Sequence, residues 1–140
     1  MSLHLEDDQF CYVCGKKNSE GFKLDFKHPG KGILTAQVAF SRKHQGFKGI
    51  VHGGMMSMIL DEMMVNLAWA EGIPAVTGKL TVRLKKAAKV GETLLFEGRL
   101  GELKGRVLHA TATAKNKAGE TLAEAKATCI VIKGAKVIRH

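Results

Sequence analysis

The chain has 140 residues, 45% of them hydrophobic and 25% charged, with six methionines, three cysteines and a net charge of +9. That length suits one domain whose core needs no disulfide support, and the absence of any apolar run near the ~18 residues of a membrane span excludes an integral membrane helix. The odd cysteine count argues against a secreted disulfide framework, and the acidic start MSLHLEDDQF lacks the basic and apolar regions of a signal peptide, so a cytoplasmic protein is expected.

In chain order, residues 1–19 read as polar and irregular around a CYVCG element at Cys11 and Cys14. No second CxxC or HxxxH follows, so no complete metal-ligand set is visible and none is assigned. A packing or turn role is the reading favoured, with zinc shared with His4 or a second chain, or a redox pair, as alternatives. Two short strands are expected at Phe22 to Phe26 and Ile33 to Phe40, joined by a turn at HPGKG. A loop with Gly46 and Gly49 then leads to His52.

From Gly53 to about Ala70 the spacing predicts a helix stopped by Gly72 and Pro74. It is apolar nearly all round, which predicts a buried helix. Gly54, Ser57, Met58, Asp61, Val65 and Ala68 share one face of mostly small side chains. Four alternating segments follow, around Gly78 to Lys85, Leu94 to Leu100, Leu108 to Ala114 and Ala123 to Cys129. Their short, Gly-containing connections predict hairpins of an antiparallel sheet. The last two carry a face of alanines against which a helix can lie closely. The chain is thus α+β, a single domain over residues 1–140, with a curved antiparallel sheet wrapped around one helix.

The chemistry concentrates in GIVHGGMMSMILDEMM, residues 49–64. Five of the six methionines lie between Met55 and Met64, and among them stand two carboxylates, Asp61 and Glu62. Acids are rarely buried unless paired or used. The first amides of a helix lack internal partners and carry the positive end of its dipole. Gly53 and Gly54 would leave such amides open to a ligand, as an oxyanion hole for a thioester or ester carbonyl requires. Asp61 is then the candidate nucleophile or general base, and His52 a hydrogen-bonding residue of the loop or of the substrate carbonyl. Glu62 lies about 100° around the helix from Asp61 and is expected to be an interface or hydrogen-bonding residue. Gly53 and Asp61 are also about 12 Å apart along a helix, too far to serve one carbonyl within one chain. Two antiparallel helices across a two-fold axis would solve this, which predicts an obligate dimer.

GIVHGGMMSMILDEMM, followed by AVTGKLTVRLKKAAKVGETLLFEGRL, resembles the hotdog-fold acyl-CoA thioesterases of the phenylacetate-pathway (PaaI-like) type. The resemblance covers nearly the whole chain. It implies a homodimer with one continuous sheet, usually paired again into a tetramer, and hydrolysis of an acyl- or aryl-CoA to free acid and coenzyme A. By the same resemblance Asp61 is the nucleophile or general base, and the Gly53 amide holds the thioester carbonyl. His52 orients that region, and Thr77 positions the attacking water. Simple alternation puts Thr77 on the lysine-bearing face, so a bulge near Gly78 is required. Gln45 stands where many relatives have an amide side chain that contacts the site. Gly54 and Met58 fall in the substrate groove, with the methionine cluster as acyl-pocket wall and Met58, Met64 and Trp69 setting its length. Arg83 and Lys85 are candidates to hold the coenzyme A phosphates.

No metal or redox cofactor is called for beyond the coenzyme A of the substrate. With one Tyr and one Trp in the chain, no aromatic platform for nucleic acid is present, and neither nucleic acid nor membrane is expected as a partner. The alternative function is a non-catalytic acyl-CoA-binding sensor of the same fold. A pure binder gains nothing from a carboxylate beside a thioester.

Overall fold

The computed structural model describes residues 5–132. Its elements are β1 (Lys27–Gly30), β2 (Ile33–Ala39), a short 3-10 turn (Arg42–His44), α1 (Gly53–Ala70), β3 (Ala75–Leu84), β4 (Thr93–Lys104), β5 (Val107–Lys115) and β6 (Thr121–Val131). The strands form one antiparallel sheet in the order β1-β2-β4-β5-β6-β3. This is the strand, strand, helix, four-strand succession expected above, with the helix lying against the concave side of the sheet.

The helix forms where the periodicity placed it. His52 caps it, its Nδ1 accepting the Gly54 N–H at 2.9 Å. Past Ala70 the chain turns at Gly72, whose φ of 78° suits a residue without a Cβ. Met56, Ile59, Leu60, Met63, Met64 and Leu67 are buried against the sheet. Opposite them the sheet offers Ala110, Ala112 and Ala114 on β5 and Ala123, Ala125 and Ala127 on β6, all buried. Helix and sheet come close together at Gly98 of β4, where a Cβ would stand 2.7 Å from the Met63 carbonyl oxygen.

Three expectations are corrected. Residues 22–26 are not a strand. Lys23 has a left-handed φ of 50°, and the Phe22 and Leu24 amides bond the Tyr12 and Val13 carbonyls, folding this segment onto the N-terminal one. The first strand comes later and includes Pro29, tolerated at the sheet edge because no ladder bond is lost there. Secondly, α1 is not buried all round within this chain: Met58, Asp61, Glu62, Val65, Asn66 and Trp69 are only half-buried. Thirdly, Met64 is fully buried core, as are Met56 and Met63. Of the helix methionines only Met55 and Met58 reach the open face.

The bulge required at Gly78 is present. Thr77 pairs with Cys129 and Lys79 with Thr128, leaving Gly78 as the extra residue. Beyond it Leu80, Val82 and Leu84 face the same way as Thr77, opposite the inward Ala127, Ala125 and Ala123. Among the described residues no helix is long and apolar enough to cross a membrane.

Candidate active site

The segment before the helix is held by a dense set of backbone bonds. Gly46 N–H donates to Ile50 O, Val51 N–H to Ala88 O and His52 N–H to His44 O, each at 2.9 Å. His44 beneath it is a satisfied core histidine. Its Nδ1 accepts the Ser41 N–H at 3.0 Å, and its ring stacks on Phe22 with centroids 4.5 Å apart. Burial, with Lys43 adding to it, lowers its pKa from the ordinary 6.5. Gln45 belongs to this scaffold, its Oε1 accepting the Gly49 N–H at 3.1 Å.

The scaffold delivers His52 and the start of α1. Because His52 Nδ1 accepts the Gly54 N–H, the ring carries its proton on Nε2 and turns that donor outward. The same bond corrects the expectation that both glycine amides are open. The Gly54 N–H is taken, whereas the Gly53 N–H has no acceptor among the described residues. Gly53 lies against β3, with its absent Cβ pointing at Leu84 Cδ1, 2.7 Å away. One helix-terminal amide is therefore free, at the positive end of the dipole.

Two turns into the helix, the half-buried Asp61 accepts a hydrogen bond from Thr77 Oγ1 at 2.6 Å. The distance lies within the ordinary range of an O–H···O hydrogen bond. Only the bulge at Gly78 allows it, by turning Thr77 inward. One carboxylate oxygen is fixed and the other is left for substrate or water. Cys129, buried on β6 directly opposite Thr77, has its pKa raised by burial and by the charge of Asp61.

Glu62 points elsewhere. Its Oε1 lies 3.5 Å from Cys11 Sγ and accepts a hydrogen bond from Asn66 Nδ2 one turn on. Cys11, Cys14 and Glu62 offer ligand atoms that all lie within 4.8 Å of one another. Burial, helped by negative charge on Cys11, raises the Glu62 pKa to about 7. The Cys14 thiol and the Cys14 and Val13 amides lower Cys11 to about 5, while that same bond and burial raise Cys14. The sequence had set CYVCG and Glu62 apart as separate questions. Nothing in their spacing joins them, although a four-residue interval such as Glu62–Asn66 suits a side-chain pair on a helix. His4, suggested above as a shared zinc ligand, lies outside the described residues.

Between the N-terminal segment and the end of α1 lies a cavity of about 850 Å³, lined by Cys11, Cys14, Val65, Asn66, Trp69 and Val76 among others. It begins one turn beyond Asp61 on the same helix face, and Asp61 itself is not in its wall. Met58 is half-buried on that face. Trp69 is anchored by its Nε1–H to the Ala75 carbonyl at 2.8 Å. Of the basic candidates on β3, Arg83 is exposed and forms no ion pair among the described residues, and Lys85 is paired with Glu124 at 3.3 Å.

A family model described as the thioesterase superfamily matches residues 48–123, more than half of the chain. The acyl-coenzyme A thioesterase THEM4 of Rattus norvegicus is 32% identical over 89 residues, covering 64% of this chain and 38% of that protein. The match thus spans well under half the length of that relative. Among solved structures, the Streptococcus mutans protein smu.793 bound to acetyl CoA superposes with a TM-score of 0.75 at 25% identity, over 81% of this chain and 91% of that one. The Escherichia coli PaaI protein from the phenylacetic acid degradation operon shares the fold, with a TM-score of 0.73 at 15% identity over 77% of this chain and 82% of that one.

Proposed function

The chain belongs to the thioesterase superfamily, and from that premise we propose that it hydrolyses an acyl- or aryl-coenzyme A thioester to the free acid and coenzyme A. The observation that carries the reading is the Asp61 carboxylate, half-buried in an apolar face and held at 2.6 Å by Thr77. Such a group has a defined direction and a free oxygen, as a nucleophile or general base requires.

The steps follow from charge. The thioester carbonyl oxygen sits at the free Gly53 N–H. In one route Asp61 takes a proton from water, and the hydroxide attacks the carbonyl carbon. In the other the carboxylate attacks directly, and water hydrolyses the resulting anhydride. In both, negative charge develops on the carbonyl oxygen, where the Gly53 amide and the helix dipole stabilise it. Collapse expels the coenzyme A thiolate. His52 donates through Nε2–H beside that oxygen and holds Gly54 with Nδ1. No metal or redox cofactor takes part in either route.

The site is completed by a second copy of the chain. Gly53 and Asp61 lie eight residues apart on one helix, about 12 Å, so each Asp61 works with the Gly53 amide of its partner. The open face of α1 and the unpaired edge of β3, with Leu80 and Leu84 exposed, are the surfaces such a homodimer would cover. Pairing of two such dimers through other surfaces would make the tetramer. Met58 and the cavity beyond Val65 take the acyl group. Arg83, with Lys85 exchanging Glu124 for phosphate, holds the nucleotide end.

Coenzyme A release from a panel of short, long and aryl acyl-CoAs tests this, using wild type and Asp61→Asn. Turnover of at least one class that falls at least ~100-fold in the variant (~2.7 kcal/mol of transition-state stabilisation) is expected. Tight binding of acyl-CoA with no turnover by either protein would replace the hydrolase with a binding module.

A further inference from the structure

Glu62, Cys11 and Cys14 have no part in the hydrolysis above, yet the fold brings them together across 51 residues of chain. We propose that these three side chains form a binding site for one zinc ion per chain, which fastens the N-terminal segment to α1 immediately beside Asp61. The donor set is two sulfurs and one carboxylate oxygen, which suits zinc and is too soft for magnesium or calcium. An iron–sulfur cluster would need four thiolates, and the chain has three cysteines, one of them buried at Cys129.

The geometry is close to what a tetrahedral ion requires. Bonds of about 2.3 Å to sulfur and about 2.1 Å to oxygen set S···O edges of about 3.6 Å and S···S edges of about 3.8 Å. Cys11 Sγ and Glu62 Oε1 are already 3.5 Å apart, and all three donor atoms lie within 4.8 Å of one another. Closing onto an ion thus needs side-chain movement of an ångström or less.

The surroundings support the thiolates. The Cys14 N–H points at Cys11 Sγ from 3.5 Å, and such a bond stabilises sulfur that carries negative charge. The reverse turn that doubles Cys14 back on Cys11 depends on Gly15, where a Cβ would lie 2.4 Å from Cys11 N and 2.6 Å from Cys11 O. Asn66 grips the carboxylate of Glu62 from the helix, the outer contact that orients a metal ligand. All three ligands are half-buried and line or adjoin the cavity, so an ion has a way in. The fourth position is left to water.

This site stands independently of the hydrolysis. Full-length protein, purified under reducing conditions and assayed for metal, should hold about one equivalent of zinc per chain. Apo protein made with a chelator should regain it and gain thermal stability as it does. Cobalt(II) in its place should show thiolate-to-metal charge-transfer absorption in the near ultraviolet. Cys11→Ser and Cys14→Ser should lose that band, and Glu62→Gln should weaken zinc at least ~10-fold with unchanged circular dichroism. Fully reduced wild type that takes up no zinc or cobalt would overturn the proposal. So would a Cys11–Cys14 disulfide in protein isolated without reductant, or zinc affinity that ignores Glu62→Gln.

Discussion

Adjacent residues on a helix point about 100° apart, and that angle gives Asp61 and Glu62 different neighbours. Asp61 meets a hydroxyl, Thr77; Glu62 meets an amide, Asn66, and two thiols. The Thr77 hydroxyl bonds a charged acceptor, an interaction that contributes about 1.5–3 kcal/mol. Thr77→Val keeps the shape and removes that donor. In the proposed mechanism it should lower kcat by about 10- to 100-fold, with a loss of folding stability of no more than about 3 kcal/mol. Thr77→Ser, which retains the hydroxyl, should keep most of the activity. Equal losses in both variants would mean that packing, not the hydrogen bond, is what the position supplies. Asp61 was legible from its place among small and apolar helix residues. Thr77 was legible only through the resemblance, because local alternation assigns it to the wrong face.

At the scale of elements, the approach of α1 to β4 is set by a missing side chain. Gly98 has no left-handed backbone angle to excuse it. Its role is spatial, since a Cβ would meet the Met63 carbonyl at 2.7 Å and its carbon at 3.1 Å, both main-chain atoms that move only with the helix. Gly98→Ala should therefore destabilise the protein by about 1–3 kcal/mol, the usual range for overpacking, read as a lower urea midpoint at constant slope. Gly30→Ala is the control: a Cβ there meets nothing within 4 Å, and the change should stay within about 1 kcal/mol and tend to stabilise. Equal effects would show that chain entropy rather than packing governs both. The helix bounds and the four later strands could be read from periodicity and from their Gly and Pro stops. The first strand could not. Its Pro and Gly read as a turn, and only its place at the sheet edge makes KHPG tolerable as a strand.

The whole molecule raises the question of how a free amide and a carboxylate on one helix serve one carbonyl. A homodimer with shared sites answers it and makes a complementation experiment decisive. Gly53→Pro removes the N–H at a position where proline is well tolerated, and Leu84 Cδ1, the one atom in the way, is the end of a flexible chain. Gly53→Pro and Asp61→Asn should each be nearly inactive. Refolded together in equal amounts they should recover about a quarter of wild-type activity, because half the dimers are mixed and each mixed dimer has one intact site. No recovery, with mixed dimers demonstrated, would place the whole site within a single chain.

The local pattern of residues determined what is local: one long apolar helix, an antiparallel sheet with a small-residue face, an open helix start and an acid two turns into it. Periodicity and capping act over a few residues, so sequence alone can express them. What required tertiary structure depends on contacts between distant segments. The bulge that turns Thr77 to Asp61 is defined by β6, and the division of the methionines between core and groove by the sheet beneath them. The meeting of Glu62 with the CxxC turn depends on a segment that folds back across the helix, and no spacing within the chain records the distance between them.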